Sequence, residues 1–519
     1  SFFRTKDLKD YINYIDYFDF IKIPSAEFNN DELINLSKKY SKKIFISSGG
    51  NDEKTIIKRI KKLDKKKFIP LHCIANYPTL TGFQQLNFLR KLSKIQNLRF
   101  GYSSHDKDWE INLITMGMGI SFIERHLTLN KSENGLDESS SSEKYDFEKI
   151  CFFANNIQYI LGTGARYPNQ GEIINMQNLG TSFYAKKDLK KGAKLNFSEI
   201  ELKAPRLGLS KNEIQTIKNK KLITNINKND PILLSSFKKS KYTFNEKKIN
   251  FLIEKKISLP FRFHDAINIH KNFPTKFNEW HLSYDEVKMF DNKKIKIDEF
   301  IDVNREYSLH LPDYINNNNL LNPFANNIVV RKESTKVIDT TIKIAKRICD
   351  LTKNKIKIVG SFSQNMGSKE ATMDKIFNLI DKLNDDQFEI LPQWLPKIAW
   401  YFGGAQKIDI FNNYEDINYL IKYNKRICLD ISHLILSANY ENKNWNKWYD
   451  ILINLSNHLH LSDAKGIDGE GIDFGKGELK NFGFILNNKN VKVLEVWQGH
   501  LHNGSKFNDA INLLVKNYA

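Results

Sequence analysis

The sequence predicts an α/β protein in which two regions of alternating strands and helices flank a small β-rich module. Three observations carry this. Through the first 165 residues, short β-like runs recur at a spacing of about 25 residues with helical stretches between them, the pattern of a parallel sheet or barrel. Between about 178 and 241 the texture changes to short segments with Gly-containing turns such as Lys190-Lys191-Gly192. From about 249 to 519 the alternation returns over a length that suits one complete (β/α)8 barrel, typically about 250 residues. A chain of 519 residues suggests two to four domains. Its 41% apolar and 12% aromatic content excludes a disordered chain.

In the first region, strands are expected at 19–23, 44–47, 68–74, 98–102 and 121–124, with helices at 31–40, 54–63, 83–95 and 109–118. Residues 131–144 are rich in Ser and Glu without apolar period and read as an exposed loop. The module carries little helix beyond 211–217. In the last region, strands are expected at 279–283, 307–311, 356–361, 388–391, 427–431, 458–462 and 491–497. The expected domains are therefore 1–165, 178–240 and 249–519.

The formal charge of +19 comes from 79 basic and 60 acidic residues. Only 12 of the basic residues are Arg, and the Lys residues scatter among Asn and Ile as a composition bias. Arg-rich bidentate recognition of phosphate and guanine is thus not the pattern, and no nucleic-acid partner is expected. No apolar run reaches the about 18 residues of a membrane span and no signal segment is visible, so a cytoplasmic protein without membrane contact is expected. Cys73, Cys151, Cys349 and Cys428 lie far apart, within or beside apolar runs, and read as reduced core thiols.

Polar residues cluster where the strand runs end. Lys22 and Ser25 follow the first, Ser47-Ser48-Gly49-Gly50 closes the second, and His72 and Tyr77 follow the third. Ser103 and His105 follow the fourth, and Glu124 and His126 the fifth. Parallel strands open their carboxyl ends at one face, where active sites sit. There His105 and His126 either share a divalent metal or are hydrogen-bonded loop histidines. Lys22 with the hydroxyls suits a phosphate or carboxylate.

Several motifs then occur in a family order: Lys22-Ile23-Pro24-Ser25-Ala26-Glu27, Leu71-His72-Cys73 with Tyr77-Pro78, Gly101-Tyr102-Ser103-Ser104-His105, Ile123-Glu124-Arg125-His126 and Gly135-Leu136-Asp137. They resemble the sialic acid (nonulosonic acid) synthases, which condense phosphoenolpyruvate with an N-acyl amino sugar. Ser182-Phe183-Tyr184-Ala185 through Gly192 resembles that family's antifreeze-like SAF domain. The resemblance covers about 240 residues. It implies that His105 and His126 bind Mn or Mg, that Lys22, Ser25, Ser47 and Ser103 hold phosphoenolpyruvate, and that Glu27, Tyr77 and Asp137 face the sugar. Glu124 would orient water or move a proton, and a homodimer is implied. Ser1-Phe2-Phe3 resembles the end of the family's third strand, so a barrel lacking its first two strands is expected: either the sequence is a fragment, which its start at Ser favours, or this half is not a self-sufficient enzyme. Ala75 stands where the family has a polar contact, and Ala204 stands where its SAF domain has an Arg, with Arg206 two positions later.

The last region carries a separate signal. Asp430 and His433 close one run, His458, His460 and Asp463 accompany the next, and Glu495 ends the last. Carboxylate, imidazole and carboxylate on three strand ends suit Mn, Mg or Zn, the alternative being separate structural ion pairs. The order resembles the xylose-isomerase-like barrels, a superfamily of sugar isomerases and epimerases and of apurinic endonucleases. That resemblance makes Asp430, His460 and Glu495 metal ligands, with Gln393 in place of the usual Glu, and puts His310 and His433 on the substrate side. The loop 466–477 reads as an active-site rim, and Trp394, Trp400 and Trp497 as packing or a sugar platform. The expectation is a nonulosonic acid synthase with an appended sugar-active barrel. The alternative is a metal-dependent sugar isomerase or epimerase joined to a degenerate synthase half.

Overall fold

The structure, a computed structural model, describes residues 1–519 other than 42, 134, 163, 167, 239–241, 365–366 and 402–403. Position 134 of the expected loop and 239–241, at the end of the expected β-rich module, therefore lie outside the described residues. The chain divides into two compact units, Ser1–Arg166 and Tyr167–Ala519.

In the first unit, β1 (Ile21–Ile23), β2 (Ile44–Ser47), β3 (Phe68–Cys73), β4 (Gly101–Ser104) and β5 (Phe122–Arg125) pair in parallel in that order. The helices Asp31–Tyr40 and Glu53–Lys62 start where Asn30 and Asp52 accept the backbone N–H groups of Leu33 and Thr55. Their apolar faces, with Leu33 and Ile60, pack on Ile21, Ile44 and Phe68 of the strands. The sheet is curled. Phe45 of β2 and Phe122 of β5 have ring centroids 5.0 Å apart, and Lys22 Nζ of β1 reaches Glu124 Oε2 of β5 at 2.7 Å. A flat sheet with about 4.8 Å between strands would hold β1 and β5 nearly 20 Å apart.

The second unit contains the β-rich module and a barrel. In the module, β6 (Ser182–Ala185) and β7 (Ile200–Lys203) pair antiparallel over a core of Ala185, Ile200, Ile214, Ile217 and Ile232. The barrel strands are β8 (Ile257–Phe261), β9 (Phe277–His281), β10 (Glu306–His310), β11 (Ile356–Gly360) and β12 (Phe388–Pro392). A hairpin of β13 (Ile398–Tyr401) and β14 (Gly404–Lys407) follows, then β15 (Ile427–Asp430) and β16 (Ser456–Leu461). A second hairpin, β17 (Asp463–Lys465) with β18 (Gly469–Ile472), precedes the last strand, β19 (Lys492–Leu494). The sheet order is β12-β11-β10-β9-β8-β19-β16-β15. A parallel bridge from Gln393 to Cys428 joins its ends, so eight parallel strands close.

The strand at Ile257–Phe261 is absent from the sequence-based expectation. Its Pro260 lies beyond the two residues, Ile257 and Ser258, that pair with β19, where no ladder N–H is required on that side. Both hairpins and the helices Lys144–Leu161 and Gln170–Leu179 are likewise additions. The cysteines need one correction. Cys73 and Cys428 are buried, but Cys151 is exposed on the helix Lys144–Leu161, because that helix buries only Ile150 fully. All four thiols are free. Among the described residues no helix is long and apolar enough to cross a membrane.

The rim loop is fixed by one carboxylate. Asp463, 0% exposed, accepts the backbone N–H groups of Ala464, Gly475, Gly477 and Leu479 at 2.8–3.0 Å. Replacing it with alanine leaves several buried donors unpaired. Asp463→Ala is expected to cost about 3 kcal/mol or more, read as a lowered urea midpoint with an unchanged slope.

Candidate functional site

The first cluster stands at the carboxyl ends of β1–β5. His105, just past β4, places Nδ1 2.9 Å from the Ile74 carbonyl, so that nitrogen carries the proton and Nε2 keeps its lone pair. Tyr77 packs against His105 with ring centroids 4.2 Å apart, and His126, just past β5, lies 5.3 Å from His105. His126 Nδ1 is 3.4 Å from Asp137 Oδ2. Burial holds His105 below its ordinary pKa, which keeps the imidazole neutral, the form that binds metal. Beneath it, Asp106 accepts from Tyr102 and Ser104 at 2.8 and 2.7 Å, and Arg125 donates to Ser104 Oγ and the Asp106 carbonyl, both at 2.8 Å. This buried network fixes the chain segment that carries His105.

The remaining expected residues surround the pair. Lys22 is bonded to both oxygens of Glu124, at 2.8 and 2.7 Å. Ser25 Oγ accepts from Gly49 N at 3.0 Å and donates to Cys73 Sγ at 3.5 Å. A Cβ on Gly49 would lie 2.8 Å from Ser25 Oγ and would push that hydroxyl from its place. Ser103 also bonds to Cys73, whose thiol burial pushes its pKa up. Ser47 Oγ is buried with no protein partner. Glu27 stays within its own turn, accepting from Asn30 Nδ2 at 2.7 Å. His72 is a core residue, bonded to the Gln84 carbonyl at 2.8 Å and stacked on Tyr102.

The second cluster stands at the carboxyl end of the closed barrel, centred on Glu279 of β9, which is 0% exposed. Its Oε1 lies 2.9 Å from both His281 Nε2 and His460 Nε2. Its Oε2 lies 2.7 Å from His458 Nε2 and accepts from Ser308 at 2.7 Å. The other nitrogen of His460, Nδ1, faces Glu495 Oε2 at 3.0 Å, Gln393 Nε2 at 3.2 Å and Asp430 Oδ2 at 3.9 Å. Asp430 also caps the helix Ile431–Tyr440, its Oδ1 accepting from His433 N at 3.0 Å. His433 Nδ1 lies 2.9 Å from the Trp394 carbonyl, and its Nε2 lies 3.1 Å from Glu470 Oε1.

Thus Asp430, His460, Glu495 and Gln393 meet around one imidazole nitrogen. Gln393 turns its NH2 toward His460 and Asp430, while its Oε1 accepts from Ser361 at 2.8 Å and faces His310 Nε2 at 3.2 Å. A ligating oxygen there requires the amide to turn over. Sequence reasoning missed Glu279 and His281, although one ligand atom from each of Glu279, His281, His460 and Glu495 falls within 4.8 Å of the others. The available signal was Glu279-Trp280-His281 at a strand end, which puts the carboxylate and the imidazole on one face. Glu470, on the rim hairpin, was recognised only as part of a loop. Trp394 is packing, 0% exposed, whereas Trp400 and Trp497 line a cavity of about 340 Å³ above the cluster.

The donors fit a divalent cation: two or three carboxylates and two imidazoles, all held by protein hydrogen bonds. Without one, the charges are balanced by protons. Burial would raise Glu279, but His460 and His458 hold it well below the ordinary carboxylate range. Burial pushes Asp430 up to about 6. Burial alone would lower His433, yet Asp430 and Glu470 push it up to about 10. Its folded pKa lies above the ordinary 6.5, so its stabilisation is full below about pH 6.5 and is lost as pH rises through about 10. In metal-free protein, the unfolding free-energy gap between the wild type and His433→Gln is therefore expected to narrow across that window in urea titrations.

A family model described as the NeuB family matches residues 6–166. The N,N'-diacetyllegionaminic acid synthase of Campylobacter jejuni is 31% identical over 194 residues, covering 36% of this chain and 58% of that protein. The N-acetylneuraminate-9-phosphate synthase of Drosophila melanogaster is 26% identical over 251 residues, covering 42% and 66%. A sugar phosphate isomerase/epimerase structure from Parabacteroides distasonis aligns over 50% of this chain and 98% of its own, at 11% identity and a TM-score of 0.31. The chain spans about three-fifths of the length of the first curated relatives it matches.

Proposed function

With residues 6–166 of NeuB type, we propose that this chain condenses phosphoenolpyruvate with an N-acyl amino sugar to form a nonulosonic acid. The observation that carries the reading is the approach of His105 and His126, rings 5.3 Å apart beside the Lys22–Glu124 pair. His105 Nε2 and the His126 ring would hold Mn or Mg, which when bound polarises the sugar's carbonyl oxygen as a Lewis acid. Lys22 supplies the positive charge for phosphoenolpyruvate, and Ser25, Ser47 and Ser103 supply hydroxyls, that of Ser47 having no protein partner. An anion at Lys22 competes with Glu124 for the ammonium. Substrate binding therefore releases this carboxylate to orient water or take a proton as the enolpyruvate carbon bonds to the sugar. Tyr77 and Asp137, grouped around the two imidazoles, present a ring face and a carboxylate to the sugar; Glu27 would join them only by leaving its turn, where it accepts from Asn30. Phosphate leaves once water has added to the former enol carbon. A domain-swapped homodimer in the cytoplasm accompanies this reading.

A second activity is favoured by the convergence of three side chains on His460 Nδ1. We assign to the barrel a sugar-active centre in which Asp430, His460 and Glu495 hold Mn, Mg or Zn. Gln393 completes the set, Glu279 holds His460 by its other nitrogen, and His310 and His433 line the substrate side. Such a centre suits isomerisation or epimerisation of a sugar.

The test of the first activity is phosphate release from phosphoenolpyruvate with a panel of N-acyl hexosamines and added Mn. His105→Ala is expected to lower the rate by about 1,000-fold or more without changing the unfolding midpoint. Lys22→Met is expected to raise KM for phosphoenolpyruvate. Full activity in His105→Ala removes the assignment.

A further inference from the structure

The helix Gln170–Leu179 belongs neither to the barrel nor to the β-rich module, yet it builds part of the barrel's cavity wall. Gln170 Oε1 accepts the Glu470 backbone N–H at 3.1 Å. Gly171 lies flat on the indole of Trp400: a Cβ there would stand 2.3 Å from the ring, so only glycine fits. One turn on, Ile174 faces the same space. The tie to Glu470 matters because that residue's carboxylate meets His433 Nε2 at 3.1 Å, and His433 abuts Asp430. Helix, rim hairpin and metal-ligand strand are thus linked by consecutive contacts.

We infer that this helix is a roof that restricts the barrel's cavity to a free small ligand of about monosaccharide size and excludes a nucleic-acid strand. Enclosure supports it. The roofed space of about 340 Å³ is at the lower end of the roughly 300–1,000 Å³ of small-molecule sites. A duplex or an extended strand would have to cross the position that Gln170 and Gly171 occupy. The inference rests on the reading of the barrel as a sugar-active metal centre, and it makes Gln170 and Gly171 specificity-determining residues of that centre.

The test uses the full chain in a His105→Ala background, loaded with Mn so that only the barrel's ion is followed. Loss of Mn to excess EDTA is timed for Gly171→Val, which forces the roof off Trp400, and for Gln170→Ala, which cuts its tie to Glu470. Both are expected to lose the ion about tenfold faster or more, with unfolding midpoints unchanged; rates equal to the parent's overturn the roof. If Gly171→Val fails to fold, Gln170→Ala carries the comparison. A duplex with an abasic site, at about 0.15 M salt, is expected to leave the parent's rate unchanged, and a rate slowed by the duplex overturns the exclusion. If the parent holds no Mn, the metal reading falls. The roof is then judged by acrylamide quenching of tryptophan emission: a rise in both variants supports it, and no change overturns it.

Discussion

The Lys22–Glu124 ion pair joins the first and last strands of a five-stranded parallel sheet, and it forms only because the sheet curls. Curling is what allows side chains from strands that are not neighbours to meet at one end of the sheet. The same constraint acts in the closed barrel, where Glu279 of β9 reaches His458 and His460 of β16 across the interior. Each cluster is therefore a consequence of parallel strands wound into an arc or a ring. The right-handed twist of strands and the packing of helices outside them supply that winding.

The two clusters solve different electrostatic problems. Around His105 and His126 one imidazole is buried and the other partly open, and the local charge is a neutralised Lys22–Glu124 pair that an anion can reopen. Around Glu279 the carboxylate is wholly buried, and an isolated buried carboxylate is costly. Three histidines and Ser308 surround it, and burial is outweighed by His460 and His458. His460 has one nitrogen on Glu279 and the other toward Glu495, Gln393 and Asp430. That placement fixes its orientation as a second carboxylate fixes a metal-bound histidine.

Much of this was legible in the sequence, for reasons that differ by element. The five strands of the first unit sit within a few residues of expectation because each is a short apolar run bounded by a turn. The gathering of His105 with His126, and of Asp430, His460 and Glu495, at strand ends was legible because polar residues interrupt those runs there. Ile257–Phe261 was hidden by Pro260, which the barrel tolerates beyond its pairing with β19. Glu279 was hidden because its strand starts two residues earlier than expected, so the carboxylate falls inside the barrel and not at a strand entrance. The role of Gln170 was not legible at all. Its partner, the Glu470 backbone, lies 300 residues away, and no local pattern encodes such a contact.

The central claim is that one chain carries two separate strand-end cation centres, each built from the side chains of its own unit. Metal content per chain, measured by mass spectrometry after Mn loading and gel filtration, tests it most directly. The account predicts two ions in the wild type. His105→Ala combined with His126→Ala should remove one, and His460→Ala combined with Glu495→Ala should remove the other. A wild type that retains no ion, or an ion count that neither pair of substitutions changes, would contradict it.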